Sequence, residues 1–384
     1  MSQDTNPYTA ARIQVLEGGE AVRKRPGMYI GSTGEHGLAQ MVFEVADRAV
    51  NEVLAGRAGR VEITLTADGA VRVADDGPGE GDVEALLTQM RSEAGPRGRH
   101  HVTLDYVGVG PFVVNALSTR MTAEVRRAGV CRVQEYARGA ALGPLTAMGP
   151  AAGSGTVIAF WPDPDIFAGA RLPFDELADR FRELALLNRD LDVSLTDERQ
   201  PGGGRAARFR FPGGVRDLLD LLDGPHEAPA VTDVIGFEGE DPRMAGTVEV
   251  ALRWRGGGEE QVRSFANSRP TPRGGSHELG LRDGLAAAID AYVRRRPLPA
   301  TEPGAGLVGG LDTGPGAGLG GAGLTAVVSV KLDEPEFLGS TRDVLGNAAV
   351  RDCVAEAVRE HVGAWLEAHP RQAAAVVGRV LGDD

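Results

Sequence analysis

Cysteine is nearly missing from this chain of 384 residues: Cys131 and Cys353 are the only two, far apart and without metal-ligand spacing. That excludes a disulfide framework and a cysteine-based zinc cluster, and it fits a reduced, cytoplasmic setting. Aromatic residues are also few, at 5%, so any core has to be built mainly from aliphatic side chains. No apolar run approaches the ~20 residues that cross a bilayer. The opening "MSQDTNPYTA" lacks both the basic region and the apolar stretch of a secretory signal. No membrane contact is expected. Positive charge is in deficit, with a formal net charge of −13. Neutralising phosphates needs clustered Lys and Arg, so DNA is expected to be engaged only indirectly.

What is present is an ordinary globular composition, 42% hydrophobic and 25% charged, long enough for roughly two or three domains. Apolar spacing predicts helices over 13–24 and 37–55. Two strands joined at Asp68-Gly69 follow, then a second pair turning at Ala128-Gly129, a strand in "GTVIAFWPD" and an amphipathic helix over Phe174–Asn188. "LDVSLTDER" and "RFRFPGG" complete a mixed α+β unit ending near 220. "LLDGPHEAPAV" reads as the junction, being rich in Gly and Pro. Beyond it the pattern predicts strands in "GTVEVALRWR", "EEQVRSFANS" and "GLTAVVSVKL", a helix over 279–295, and one long helix from about 347. The segment 302–323 has almost pure loop composition. No repeat of 20–50 residues is visible.

Several short stretches carry polar chemistry. On a helix, "FEVADRAVNEVLA" places Glu44, Arg48, Asn51 and Glu52 on one face. In "VADDGPGEGD" a strand ends at Asp75-Asp76-Gly77-Pro78-Gly79. An Asp there, followed by alternating glycines, lets backbone approach a flat ligand, although the same pattern is also a common tight turn. Gly108 and Gly110 precede an apolar helix and can present N–H groups to phosphate, yet the pair lacks the third glycine of a dinucleotide fingerprint. Thr156 opens a strand with a hydroxyl to offer, and Arg342 sits in the loop "GSTRD".

Taken in order, an acidic helix, D-x-G-x-G, a glycine pair before a helix and a Gly-Thr strand resemble the nucleotide-binding fold of gyrase, chaperone, histidine-kinase and MutL ATPases. Longer segments narrow this. "YTAARIQVLEGGEAVRKRPGMYIGST", "VVNALST", "GTVIAFWPDPDIF", "LNRDLDVSLTDER", "SFANS", "GGSHE" and "GLTAVVSVKL" are each similar to gyrase B at the corresponding place, from about residue 6 onward. The resemblance implies an α+β chain: a GHKL (Bergerat) ATPase α/β sandwich with an N-terminal dimerisation arm over 1–220, then a ribosomal-S5-like transducer over 221–384. The cleavage-religation (TOPRIM) and C-terminal gyrase B regions are expected to be absent, since no E-G-D-S-A stretch occurs.

Residue by residue, the resemblance makes Glu44 the base that activates water and Asp75 the group that recognises the adenine amino group. Glu52, Gly77, Gly79 and Thr156 become pocket residues, Gly108 and Gly110 phosphate contacts, and Tyr8 and Ile13 parts of the arm. Arg342 stands where the family's transducer lysine reaches the γ-phosphate. The departures cluster at the phosphate end. Arg48 replaces the asparagine that ligates Mg²⁺, and a guanidinium has no lone pair to offer a metal. Its spacing also suits an ion pair with Glu44. Asn51 replaces an aspartate, and Asp105-Tyr106-Val107 interrupts the glycine-rich lid. The expectation is an ATP-binding module related to an ATP-hydrolysing DNA topoisomerase, without a Mg²⁺ site, its hydrolysis weak or lost. It is expected to cut no DNA by itself and to pair as a nucleotide-dependent homodimer or with a gyrase-type partner. A non-enzymatic interaction protein and one half of a split topoisomerase are the alternative readings.

Overall fold

The computed structural model describes residues 18–90, 98–99, 101–104, 108–200, 204–224, 229–296, 323–339 and 341–381. The first helices are α1 (Gly19–Lys24), α2 (Gly27–Ile30) and α3 (Glu35–Leu54), followed by the hairpin β1 (Val61–Leu65) and β2 (Val71–Asp75). Then come α4 (Val83–Thr88), α5 (Pro111–Ala116), β3 (Ser118–Arg127), β4 (Val130–Ala137), β5 (Ala140–Ala141), β6 (Thr146–Pro150) and β7 (Gly155–Pro162). Helix α6 (Phe174–Leu186), β8 (Val193–Asp197), β9 (Arg205–Phe209) and α7 (Val215–Asp223) lead to the second part of the chain. There the elements are β10 (Ile235–Asp241), β11 (Gly246–Trp254), β12 (Gln261–Ala266), β13 (Arg269–Pro270), α8 (Ser276–Arg295), β14 (Leu324–Leu332), β15 (Phe337–Leu338), β16 (Val344–Leu345), α9 (Ala348–Ala368) and α10 (Pro370–Leu381).

Among the described residues, nine strands form one sheet in the order β5-β4-β3-β7-β2-β1-β8-β9, with β6 also on β4. Its core is a single cluster in which α3, α5 and α6 pack on one sheet face. Local chemistry explains the turns. Ala128 and Gly129 both adopt positive φ, as the two central residues of a primed hairpin turn must. Thr66 holds the β1–β2 turn, its hydroxyl accepting from the Ala70 N–H at 3.0 Å. The second sheet runs β10-β11-β14-β12-β13. Helices α8, α9 and α10 cover one face with Leu281, Leu285, Val354, Val358 and Val376, and α7 covers the other with Val215, Leu218 and Leu219 against Ala251, Phe265 and Val327.

Three sequence expectations change. Helix α7 crosses the expected junction at 220 and 221, its apolar residues at 215, 218, 219 and 222 making a helical stripe that the following Gly-Pro obscures. Strand β10 has no counterpart among the predicted strands, because "IGFEGED" shows no clean alternation and lies at a sheet edge. The single C-terminal helix is two, since the residue before Pro370 is pushed out of the α region; His369 has φ −123° and ψ 61°. The segment 302–322 and the start of the helix expected over 13–24 lie outside the described residues.

The two parts meet through polar bonds. Asn188 donates to the Ser268 hydroxyl at 3.0 Å and accepts from Lys331 Nζ at 2.9 Å. Asn267 and Ser268 both have positive φ at the β12–β13 turn, which delivers Ser268 to that contact.

Two features of the second part give measurable consequences. Gly284 on α8 lies so close to α9 that a Cβ would stand 2.6 Å from both the Ala355 carbonyl oxygen and Val358 Cβ. Gly284→Ala is therefore expected to destabilise the chain by about 1–3 kcal/mol, although alanine alone favours a helix by about 1 kcal/mol; urea denaturation gives the sign. His277 is fully buried, bonded by Nε2 to the Thr271 hydroxyl at 3.1 Å, and burial pushes its pKa down to about 4. Between its ordinary value of 6.5 and about 4 the unfolded chain binds the proton and the folded chain does not. Stability should thus fall as pH drops through that window, by on the order of 3 kcal/mol. His277→Gln should flatten that part of the curve of unfolding midpoint against pH.

Candidate functional site

Helix α3 carries most of the polar groups of interest, and its burial explains why they must be paired. Glu44 is 1% exposed and Asp75 4%, levels at which an ionised carboxylate needs partners. Glu44 has them on both oxygens: Oε1 accepts from Gln40 Nε2 at 3.1 Å and Oε2 from the Gly110 N–H at 2.7 Å. Gly110, with φ 81°, is the residue that caps α5. Glu44 thus sits against a backbone N–H of the glycine pair expected to face phosphate.

Asp75 ends β2, and pairing of β2 with β7 sets Asp75 opposite Thr156. Asp75 Oδ1 accepts from the Gly77 N–H at 2.9 Å. Its Oδ2 accepts from Arg48 Nη2, an ion pair whose two side chains are 12% and 1% exposed. The spacing on α3 pointed Arg48 toward Glu44; the structure carries its guanidinium across to the end of β2. Thr156 is fully buried and its hydroxyl accepts from the Glu80 N–H at 2.9 Å. Gly79 has φ 82°, and a Cβ there would stand 2.6 Å from the Arg126 carbonyl oxygen, so only glycine brings this loop down onto β3.

A cavity of about 270 Å³ is lined by Glu44, Asp47, Arg48, Asn51, Glu52 and Arg57, with Leu86, Gln89, His101 and the stretch Val109–Phe112 closing it. That lies just under the roughly 300–1,000 Å³ of small-molecule sites. Asp75, Gly77, Gly79 and Thr156 are not among the lining residues, so Arg48 stands between the open cavity and the end of β2. Glu52 is gripped by Arg57 through two bonds of 2.8 Å, which hold its carboxyl below the ordinary carboxylate value.

The structure brings together Glu44, Arg48, Glu52 and Gly110 around the cavity, and Asp75, Gly77, Gly79 and Thr156 beside it. Gly108 is described with φ 59° but lines no part of the cavity. Arg342, expected at the phosphate, is exposed between β15 and β16 with φ 56° and does not line the cavity; the described chain places it on the surface of the second part. Tyr8 and Ile13, and Asp105, Tyr106 and Val107, lie outside the described residues. Sequence reasoning missed Gln40, Asp47, Arg57 and His101. Gln40 and Asp47 were legible in principle, since they lie four residues before Glu44 and Asn51 on the same helix. Arg57 reaches Glu52 locally, from the turn just after α3, whereas His101 is brought to the site by tertiary folding.

The resemblance puts a Mg²⁺ ligand at the position of Arg48, whose guanidinium offers a metal no lone pair.

Comparison with known proteins places this geometry. The family model described as DNA gyrase B matches residues 214–305 and 321–383. The DNA gyrase B protein of Streptomyces coelicolor is 40% identical over 96% of this chain and 56% of its own length. The chain spans a little over half the length of the curated relatives it matches. The 43K ATPase domain of Thermus thermophilus gyrase B, solved with an aminocoumarin, superposes with a TM-score of 0.75 at 31% identity, covering 98% of this chain and 96% of that one. The topoisomerase IV ATP-binding domain of Francisella tularensis gives 0.73 at 29% identity, over 95% and 96% of the two chains. The α+β arrangement is that of the gyrase B ATPase structures. Among the described residues no helix is long and apolar enough to cross a membrane.

The Arg48–Asp75 pair has an energetic signature. Arg48→Met leaves a buried carboxylate without its cation and is expected to cost about 3–5 kcal/mol. Adding Asp75→Asn should restore part of that loss, and a double-mutant cycle by thermal denaturation measures the coupling.

Proposed function

The chain belongs to the DNA gyrase B family, and from that premise we propose that it is an adenine-nucleotide-binding module in which nucleotide competes with Arg48 for Asp75 and hydrolysis is slow. The Arg48–Asp75 ion pair is the observation that carries this reading. In the family's mode of recognition an adenine amino group donates to the carboxylate at this position. Here Oδ1 already accepts from the Gly77 N–H and Oδ2 from Arg48, so in this reading the amino group competes with a charged donor for Oδ2. Thr156, Gly77 and Gly79 then supply the hydroxyl and the close backbone for a flat ring.

The reading of slow hydrolysis rests on the other end, where each Glu44 oxygen already accepts one hydrogen bond, leaving fewer lone pairs to direct at water. Arg48, at the position of the family's metal ligand, supplies no lone pair for Mg²⁺. Arg342 lies on an exposed hairpin, outside the cavity around Glu44. The nucleotide unit spans 1–220 and the transducer 221–384, with α7 joining them. Pairing with a second copy or a gyrase-type partner uses the arm that contains Tyr8 and Ile13. The same ion pair favours a second reading, a non-enzymatic interaction module, because with Arg48 on Asp75 the site is electrostatically complete without any ligand.

Calorimetric titration with a non-hydrolysable ATP analogue separates these readings. Arg48→Asn should bind at least about tenfold more tightly than wild type, a gain of about 1.4 kcal/mol, and should show the larger ligand-induced rise in melting temperature. Equal or weaker binding by the variant sinks the competition model. Absence of binding in both proteins supports the non-enzymatic reading. Wild-type turnover as fast as that of gyrase B, abolished by Glu44→Ala, rules out slow hydrolysis.

A further inference from the structure

Several anchors outside the Arg48–Asp75 pair converge on one short run of backbone. From α3, Asn51 Nδ2 donates to the Val102 carbonyl at 2.8 Å, Asn51 Oδ1 accepts from the Val102 N–H at 2.8 Å, and Asp47 Oδ1 accepts from the Leu104 N–H at 2.7 Å. From α6, Arg180 Nε donates to the Leu104 carbonyl at 3.0 Å, and its Nη2 reaches the Ser268 carbonyl of the second sheet at 3.4 Å. Arg99, three residues before Val102, spans to the second sheet. Its Nε and Nη2 donate to the two oxygens of Asp333 at 3.0 and 2.9 Å, its backbone N–H to Asp333 Oδ1 at 3.2 Å, and its Nη1 to Glu240 at 2.6 Å. Asp333 directly follows β14, and Glu240 lies in β10.

We infer that Arg99, Val102 and Leu104 together act as a strap that fastens the helix of Glu44 and Arg48 to the second sheet, and that position 51 is an amide because the strap requires one. Val102 presents Asn51 with a donor and an acceptor together, as a neighbouring strand would. An amide answers both. A carboxylate there could accept the N–H but would set its own lone pairs against the Val102 carbonyl. The second-sheet end is held by a bidentate guanidinium–carboxylate pair, the geometry that fixes orientation as well as distance. Between these ends the Leu104 N–H is tied to α3 and its carbonyl to α6. Displacement of the second sheet is therefore transmitted to the helix whose Glu44 holds the Gly110 N–H.

Hydrogen exchange on the full chain without nucleotide tests the strap, so its outcome is independent of whether nucleotide binds. The amides of Val102 and Leu104 report the strap and that of Gly110 reports the Glu44 contact. Arg99→Ala and Asp333→Asn, both at the second-sheet end, should each speed exchange at all three about tenfold or more, and the double variant should be no faster than Arg99→Ala alone. Asn51→Asp should speed Val102 by a similar factor from the other end. Circular dichroism identical to wild type establishes that the fold is intact, and Asp333→Asn is conservative enough to stand if Arg99→Ala does not. Unchanged exchange at Val102 and Gly110 in Asp333→Asn, or effects of the two second-sheet substitutions that simply add, would overturn the inference.

Discussion

A carboxylate as deeply placed as Asp75 has to be neutralised by something, and in this chain the neutralising group is Arg48. Much of the site follows from that pair. It fixes α3 against the end of β2, it takes Asp75 Oδ2 out of use, and it separates the cavity around Glu44 from the loop of Gly77 and Gly79. The other end is settled in the mirrored way. A backbone N–H expected to meet a phosphate oxygen meets the Glu44 carboxylate instead. In the proposed reading Arg48 lies where a ligand's donor would meet Asp75 and Glu44 where a phosphate would meet the Gly110 N–H, so a ligand gains only the difference between its contacts and those it displaces.

How far this could be read from sequence depended on the range of the interaction. Hairpin turns were legible because Asp68-Gly69 and Ala128-Gly129 carry their signal within two residues. Long helices with an apolar stripe, α3, α6 and α8, were legible for the same reason. The stripe of α7 was equally local, but the Gly and Pro that follow it drew the eye to a boundary. The site was different. That Asp75 lies opposite Thr156 is a consequence of strand pairing across 81 residues of chain, which no local pattern states; only the resemblance to a family supplied it. Arg48 shows the limit of the helix rule. Spacing of four residues selected Glu44 as its partner, and tertiary packing selected Asp75, 27 residues away. Asn51 on Val102, 51 residues away, was likewise decided by tertiary structure.

Against the family pattern Arg48 and Asn51 both look like losses, one of a metal ligand and one of an acid. Their contacts argue otherwise. An asparagine at 48 would leave Asp75 without a charge partner, and an aspartate at 51 could not donate to the Val102 carbonyl. Each replacement supplies the one property its neighbour demands, a positive charge in the first case and an N–H in the second. Unconstrained decay of a nucleotide site would strand buried polar groups. Here the main ones are paired, and what is left over is small: Arg48 Nε and Gln40 Oε1 are buried without a hydrogen-bond partner. Gln40 Oε1 left without a partner costs about 1–3 kcal/mol, and a donor on the charged guanidinium costs more. Together these are of the same order as the ~3–5 kcal/mol expected for leaving the Asp75 charge without its cation. The two residues are therefore best understood together, Arg48 meeting the charge of Asp75 and Asn51 meeting both polar groups of Val102 on the same helix.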